Sequence, residues 1–207
     1  MARPKSATHD LKRDAILDIA AQCFAQRSYP AASMNEIAAA CGTSKARLYH
    51  YYESKDAILF DLLDRHTQRL LTLIAQTEAR AQRLNLDDRA ALHALVRAFL
   101  QEYESAATRH AALLNDTKFL SAEADPALGD VSPREQILNR QRDIVAAMTR
   151  FLKRAYPGRL TPANQTALTM MLLGMINWTF TWLRPGGPMS YAAFADEVVT
   201  MLEKGMG

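Results

Sequence analysis

Apolar residues recur along this chain three and four positions apart, which is the spacing of one helical face. No stretch of the sequence predicts a strand. Nine helices are predicted, over about 8–27, 33–41, 45–51, 54–81, from 87 to beyond 103, 110–120, 133–155, 161–184, and from 190 to beyond 202. Gly and Pro number eight each, and Gly42 is the only one of either between Pro30 and Pro126. An all-β chain needs turn residues about every 8–12 positions, so the pattern predicts an all-α fold.

Two of the predicted helices are short and lie close together within 33–51. Ser33 and Glu36 have the spacing of a capping box, in which each side chain bonds the other residue's backbone N–H. Gly42 suits the left-handed position that ends a helix, and Ser44 suits the N-cap of the next helix. Two short helices joined by such a turn are typical of a helix-turn-helix. An ordinary solvated helical hairpin with packed tyrosines is the alternative.

The second of these short helices is basic and aromatic. Leu48 and Tyr52 lie four positions apart and are expected to pack inward, which leaves the other faces for DNA. We expect Arg47 to read a guanine edge in the major groove and Ala46 to allow close approach of the helix. The neighbouring polar side chains suit phosphate oxygens. The predicted DNA-contacting residues are Ser33, Ser44, Lys45, Ala46, Arg47, Tyr49, His50, Tyr51 and Lys55.

The charge distribution agrees with a polyanionic partner. The chain carries a net charge of +3, and residues 1–55 hold eight Lys and Arg against five Asp and Glu. The rest of the chain is therefore neutral overall. Such an asymmetry favours nucleic-acid binding by the first quarter of the chain.

The region from Ile37 to Lys55 resembles the DNA-binding domain of the tetracycline-repressor (TetR) family of transcriptional regulators. The shared features are Ile37-Ala38, Gly42-Thr43-Ser44, the aromatic run from Leu48 to Tyr52, and Lys55. The family usually has Phe where this chain has Tyr52, whose hydroxyl should reach the rim of the core, and Ala is common at Cys41. The resemblance implies an N-terminal three-helix DNA-binding domain over 1–53. It also implies a six-helix ligand-binding and dimerisation domain over 54–207.

The family architecture further implies a homodimer whose last two helices per subunit form a four-helix bundle. Two-fold symmetry places two recognition helices on one side of double-stranded DNA, so a dimer calls for a roughly palindromic operator.

The predicted helix from 161 to 184 is unusual, because residues 160–183 contain no charge. A membrane span is one interpretation, but Asn, Gln and Thr interrupt the segment and no basic cluster anchors it. A helix buried on two faces is the better interpretation, with one face in the dimer and one towards a ligand cavity. The sequence leaves open which face is which. The working assignment gives Leu172, Ile176, Phe180, Leu183, Phe194, Val198 and Met201 to the dimer.

The ligand pocket is assigned to bulky, adaptable side chains, although each of them also suits an ordinary core. The predicted ligand-binding residues are Phe99, Tyr103, Phe119, Met148, Leu152, Met171, Met175 and Trp178. Asn177 should be buried, and its amide needs a partner across the dimer, on a ligand, or on another helix of the same subunit.

The run from Gly174 to Ser190 is similar to a subgroup of the family that responds to acyl-CoA thioesters. The small hydrophobic effector implied by the family therefore has acyl-CoA as one candidate. Its phosphates would need cations such as Lys118, Arg109, Arg140 or Arg142, each of which also suits a solvated helix face.

The residues predict neither an enzyme nor a cofactor or metal site. The five His are scattered, no phosphate loop or nucleophile motif is present, and the two Cys form no disulfide framework. Because the first residues lack an apolar segment, we expect no signal peptide and a cytoplasmic protein. Three hypotheses remain: a dimeric repressor released by a ligand, a ligand-independent DNA-binding protein of the same fold, and a helical enzyme or membrane-attached protein.

Overall fold

The computed structural model describes residues 4–206, with side chains described for residues 9–205. These residues form helices, and strands are absent from the described part of the chain, which confirms the predicted all-α class. The helices are α1 (Pro4–Arg27), α2 (Met34–Ala40), α3 (Lys45–Tyr49), α4 (Lys55–Arg83), α5 (Asp88–Ser105), α6 (Ala107–Asp116), α7 (Pro133–Ala155), α8 (Gln165–Asn177), α9 (Thr179–Trp182) and α10 (Tyr191–Met206). Two 3-10 turns, Thr117–Phe119 and Pro126–Leu128, lie between α6 and α7. Among the described helices, none is long and apolar enough to cross a bilayer.

The predicted helix over 161–184 is wrong at both its start and its continuity. It begins only at Gln165, because the Asn164 carboxamide accepts the N–H of Thr161 at 2.8 Å and holds the preceding residues in a turn. It is interrupted at Trp178, where Thr179 and Thr181 donate their hydroxyls to nearby backbone carbonyls at 2.9 and 2.7 Å. Such side-chain bonds compete with the helical pattern and end it locally.

Packing divides the chain into two compact units. The first comprises the chain as far as His66 together with Ala111–Leu138, and the second comprises Thr67–His110 together with the chain from Asn139 onward. The segment Ala111–Leu138, which starts within α6, therefore packs in the same unit as α1 to α3, although it lies far from them in sequence. The predicted functional boundary after residue 53 stays a prediction, and it does not coincide with these packing units.

The core of the first unit is built from the inner faces of α1 to α4. Its fully buried side chains include Leu17, Ile37, Leu48, Ile58, Leu59 and Leu62. The second unit has a core of its own, whose buried side chains include Leu92, Phe99, Met148, Phe151, Leu152, Leu172, Ile176 and Val198. Each unit thus has its own apolar core, and that core holds the helices whose outer faces carry the unit's surface residues.

Candidate DNA-binding site

The turn between α2 and α3 is fixed by local hydrogen bonds that the sequence predicts. The Ser33 hydroxyl accepts the N–H of Glu36 at 3.3 Å, and the Glu36 carboxylate accepts the N–H of Ser33 at 2.9 Å. The capping box is therefore confirmed. The Ser33 hydroxyl also donates to Glu36 at 2.9 Å, so the structure employs this group in the helix start rather than leaving it for phosphate. Gly42 has φ of 62°, the left-handed conformation that favours glycine.

The recognition helix α3 is one short turn that is anchored by a single side chain. Leu48 is fully buried, whereas Lys45, Ala46 and Arg47 are exposed on the opposite side. Ser44 caps the helix by accepting the N–H of Arg47 at 3.2 Å, which leaves its own hydroxyl proton available. Within the described residues, the Arg47 guanidinium forms no hydrogen bond or ion pair. Arg47, the residue predicted to read a base, thus points outward with its donors unused.

A partly buried polar network joins α1, Tyr52 and α4. The Tyr52 hydroxyl donates to Asp61 at 2.6 Å, and the Arg13 guanidinium donates to the same carboxylate at 2.8 Å. Arg65 adds a bond of 3.0 Å to Asp61 and one of 3.2 Å to Asp14. Burial alone would raise the pKa of Asp61, but the hydrogen bonds and nearby cations lower it overall. Tyr in place of the usual Phe therefore supplies a donor that fixes the orientation of α4.

Lys55 binds backbone carbonyls of its own chain in the structure, rather than being free for the predicted phosphate contact. Its ammonium donates to the carbonyls of Tyr29 and Ala32 at 2.8 Å and of Pro30 at 3.3 Å. The same ammonium lies 4.4 Å from the centroid of the Tyr29 ring. An ammonium has three donors, and these carbonyls use all of them. Lys55 consequently holds the turn between α1 and α2 against the start of α4.

Tyr51 is also less available than predicted, because a residue of α1 covers its ring. His9 stacks on Tyr51 with the centroids 5.1 Å apart and an angle of 27°. Tyr49 and His50 remain exposed. Lys12 of α1 borders the same shallow groove as Arg47 and Tyr51, and the sequence analysis missed both His9 and Lys12. Lys12 and His9 lie about one and two helical turns before Ile16, which borders the same groove, and this spacing was the signal that could have placed them beside Arg47 and Tyr51.

Comparison with known proteins agrees with this geometry. The family description "Bacterial regulatory proteins, tetR family" matches residues 16–62, and "Tetracyclin repressor-like, C-terminal domain" matches residues 85–206. The chain belongs to the TetR family of transcriptional regulators. Members of this family are DNA-binding regulators rather than enzymes, in agreement with the sequence analysis.

Solved structures similar to this TetR-family protein support the assignment over most of its length. A TetR-family regulator from Bordetella parapertussis 12822 has 31% sequence identity and a TM-score of 0.81, covering 91% of this chain and 92% of that one. AibR, solved with isovaleryl coenzyme A and operator DNA, has 26% identity and a TM-score of 0.73, covering 92% and 97%. The transcriptional activator FasR of Mycolicibacterium smegmatis is 37% identical over 95 residues, which is 46% of this chain and 42% of FasR. The chain spans less than half the length of the first curated relatives that it matches.

Burial in the second unit reverses part of the predicted dimer assignment. Leu172, Ile176, Leu183 and Val198 are at most 4% exposed. A side chain covered by its own subunit has little surface to offer a partner, so these residues belong to the core. Phe180 and Phe194 are half-buried, and Met201, which is 62% exposed, remains available for a dimer.

The predicted ligand set is likewise not brought together. Met171 and Trp178 are 66% and 57% exposed, so they form an outer surface rather than the wall of an internal pocket. Phe119 belongs to the first unit, where it stacks on Tyr29 at 5.2 Å. The remaining predicted ligand residues lie in the second unit, where Met175 is half-buried and Phe99, Tyr103, Met148 and Leu152 are buried.

Asn177 finds its partner inside the subunit. The Tyr103 hydroxyl donates to the Asn177 side-chain oxygen at 3.0 Å, which ties α5 to the end of α8. Burial raises the pKa of Tyr103, so the phenol stays protonated and remains a donor. Its ring stacks on His110 with a centroid distance of 3.7 Å. Of the three partners considered for Asn177, the structure selects a helix–helix bond.

The cations suggested for CoA phosphates also lie in different surroundings. Arg142 donates to Asn139 at 2.5 Å on the exposed surface of α7. Lys118 is exposed in the first unit, with its ammonium 5.1 Å from the centroid of the Phe119 ring. Arg109 and Arg140 are half-buried and engaged in contacts within the protein.

Proposed function

We propose that this protein is a homodimeric repressor that binds a palindromic operator and releases it when a small hydrophobic effector, an acyl-CoA thioester, binds. The observation that carries the DNA-binding part is the exposed first turn of α3, held from behind by Leu48. Lys45, Ala46 and Arg47 present cationic and small side chains together, which is the surface that a helix needs in the major groove.

The proposed dimer uses the apolar side chains that α8, α9 and α10 leave exposed. Met171, Trp178, Trp182 and Met201 are each about half exposed or more. Trp182 and Phe194 meet edge to face at 5.0 Å, so the rings are already ordered within one subunit. Exposed aromatic and Met side chains in one region are typical of protein interfaces. A second copy of the same chain would cover them on both subunits at once.

The acyl-CoA part of the proposal rests on the likeness to AibR, which was solved with isovaleryl coenzyme A and operator DNA. The apolar interior of the second unit, with Phe99, Met148 and Leu152, offers the surroundings that an acyl chain would need. Met148 adds an unbranched side chain that adapts to different shapes.

A second candidate function is a DNA-binding protein without a small effector. The observation that favours it is the dense packing of the same side chains: Phe99, Met148 and Leu152 are fully buried among their own neighbours. An acyl chain would enter only if these residues moved apart.

A mobility-shift assay on the upstream region of the protein's own gene tests both candidates. It is run at near-physiological salt, because phosphate contacts make the affinity depend on salt. Acyl-CoA thioesters of several chain lengths are compared with their free acids and with CoA alone. Release of a specific shift by a thioester supports the effector proposal. A specific shift that no compound releases supports the effector-independent function, and failure to bind any sequence in a random-sequence selection contradicts both.

A further inference from the structure

The second unit has an open groove between α4 and α5, with a volume of about 590 Å³. All of its described lining residues belong to that unit, and none of them is acidic. The groove therefore carries a positive charge that its own lining does not compensate. The lining that matters here is Leu73, Gln76, Thr77, Arg80 and Arg83 of α4 and Ala98 of α5.

The two arginines of this groove have unused hydrogen-bond donors. Arg80 and Arg83 lie three positions apart in the last turn of α4, so they project from the same face of the helix. Arginines at such a position can donate to the final helical carbonyls. Both side chains are exposed, and within the described residues neither guanidinium forms a hydrogen bond or an ion pair. Each planar set of N–H donors is therefore available to an anion.

A largely buried threonine in the same groove also has an available hydroxyl. Thr77 lines the groove and is 7% exposed. Three other helical threonines, Thr72, Thr149 and Thr200, each donate to the carbonyl four residues earlier at 2.8 to 2.9 Å. The Thr77 hydroxyl forms no such bond in the part of the chain that the structure describes. Because Thr77 lies three positions before Arg80, a ligand held by the arginines can accept its proton.

The neighbouring groove between α4 and α7 has no comparable excess of charge. Arg150 and Arg154 line it together with Glu78 and Asp143. Arg154 donates to Glu78 at 2.5 and 3.2 Å. Its cations are thus matched by acids, whereas the groove between α4 and α5 attracts an anion.

The available donors of the groove between α4 and α5 suit phosphate groups. A guanidinium binds phosphate through two parallel N–H bonds, and two guanidiniums with a hydroxyl supply more donors than one carboxylate can accept. CoA carries several phosphates, and a long flexible arm joins them to the acyl group. Ala98 lines the groove, and the next residue of α5, Phe99, is fully buried in the apolar interior. The charged and apolar halves of one ligand therefore find suitable surroundings on two sides of the same stretch of α5.

We propose that the groove between α4 and α5 binds the phosphate groups of an acyl-CoA effector through Arg80, Arg83 and Thr77. This inference rests on the proposed function, because it identifies where the charged half of that effector binds. The cations that the sequence suggested for these phosphates lie in other surroundings, whereas Arg80 and Arg83 line one groove with their donors available.

The test compares the binding of CoA with that of pantetheine, which lacks the phosphates, to the whole protein without DNA. Isothermal titration calorimetry at pH 7 and low salt gives both dissociation constants, since salt screens contacts between exposed charges. We expect CoA to bind at least tenfold more tightly than pantetheine. Equal affinities, or no binding of CoA at millimolar concentration, would overturn the proposal.

Two double variants locate the phosphates. Arg80→Gln with Arg83→Gln removes both charges of the groove, and we expect it to raise the Kd of CoA about tenfold while leaving that of pantetheine unchanged. Arg150→Gln with Lys153→Gln removes two exposed charges at the same spacing on α7 and should leave the affinity for CoA as in the wild type. If the first variant binds CoA as the wild type does, or if the second weakens it equally, the phosphates do not bind in this groove.

Release of operator DNA separates failure of this site from failure of the proposed function. If an acyl-CoA releases the operator from the wild type and about tenfold more is needed for the variant without Arg80 and Arg83, both are supported. If that variant responds at the wild-type concentration, the site is wrong and the effector function stands. If CoA binds in the groove but no acyl-CoA releases the operator, the effector function is wrong and the phosphate site stands.

Discussion

Lys55→Met separates a structural lysine from a DNA-binding one. The chemistry of its side chain predicts a phosphate contact for Lys55, whereas the structure directs its ammonium at the carbonyls of Tyr29, Pro30 and Ala32. Met retains most of the apolar stem and removes the charge and the donors. The structure therefore predicts that the substitution lowers the free energy of unfolding more than it changes the dependence of DNA affinity on salt.

The expected magnitude follows from the individual contacts of Lys55. The two bonds of 2.8 Å are partly buried, while the bond to Pro30 is exposed and contributes little. Hydrogen bonds to a charged group contribute about 1.5–3 kcal/mol each, and an exposed cation–π contact about 0.5–1 kcal/mol. Water can solvate the carbonyls once the ammonium is gone, and Lys55 is only half-buried. The net loss of stability is therefore smaller than the sum of the lower ends of these two ranges. We expect a loss of about 2 kcal/mol.

Lys45→Met is the matched control, because Lys45 is exposed on α3 and its ammonium is 5.9 Å from the Tyr49 ring centroid. Urea unfolding gives the stability of both variants, and titration of operator DNA at several salt concentrations gives the slope of log affinity against log salt. Lys45→Met should reduce that slope by about one unit with little change in stability. The reasoning is refuted if Lys55→Met leaves stability unchanged and reduces the salt slope as Lys45→Met does.

Three further substitutions test the predicted recognition surface, the partly buried network around Asp61 and the proposed dimer interface. Arg47→Ala should cost about 1–3 kcal/mol at one operator base pair, and an equal loss on random DNA would show that Arg47 does not read a base. The pKa of Asp61 is lower in the folded protein than in the unfolded chain, so its ionised carboxylate stabilises the fold above the unfolded pKa. That stabilisation is lost as the pH falls through the folded pKa. Asp61→Asn should therefore make the free energy of unfolding depend less on pH in the acid range. Acid-unfolding curves with the same slope in both proteins would contradict that origin. Trp178→Glu should weaken the dimer by about 2 kcal/mol or more, measured by light scattering over a concentration series. An unchanged dimer would mean that the exposed face of α8 and α9 is not the interface.

Local patterns allowed the DNA-binding helices to be predicted in detail. The capping box of Ser33 and Glu36, the cap at Ser44 and the left-handed Gly42 all form as the sequence indicates. These features involve residues within a few positions of one another, so their geometry follows from local hydrogen bonding and allowed backbone angles. Burial of Leu48 followed equally well from helical spacing.

The sequence could not predict which partner each polar side chain would choose. Lys55 and Tyr29 are 26 positions apart, and Arg13 and Asp61 are 48 apart. Whether an ammonium binds a phosphate or a carbonyl depends on which backbone groups the fold places around it. For the same reason, the sequence could not tell whether the Asn177 amide bonds a dimer partner, a ligand or another helix, and only the structure shows its bond to Tyr103.

By itself, the sequence determined the all-helical class, the positions of the short DNA-binding helices and the outward-facing donors on α3. These properties depend on periodicity and capping, which act over one or two turns of helix. Only the tertiary structure decided which face of α8 is covered. Leu172 and Ile176 lie on one apolar stripe and Met171 and Trp178 on the other, and hydrophobicity alone does not distinguish them. The first stripe is buried because α5, α7 and α10 supply a core on that side, and the second remains exposed in the subunit.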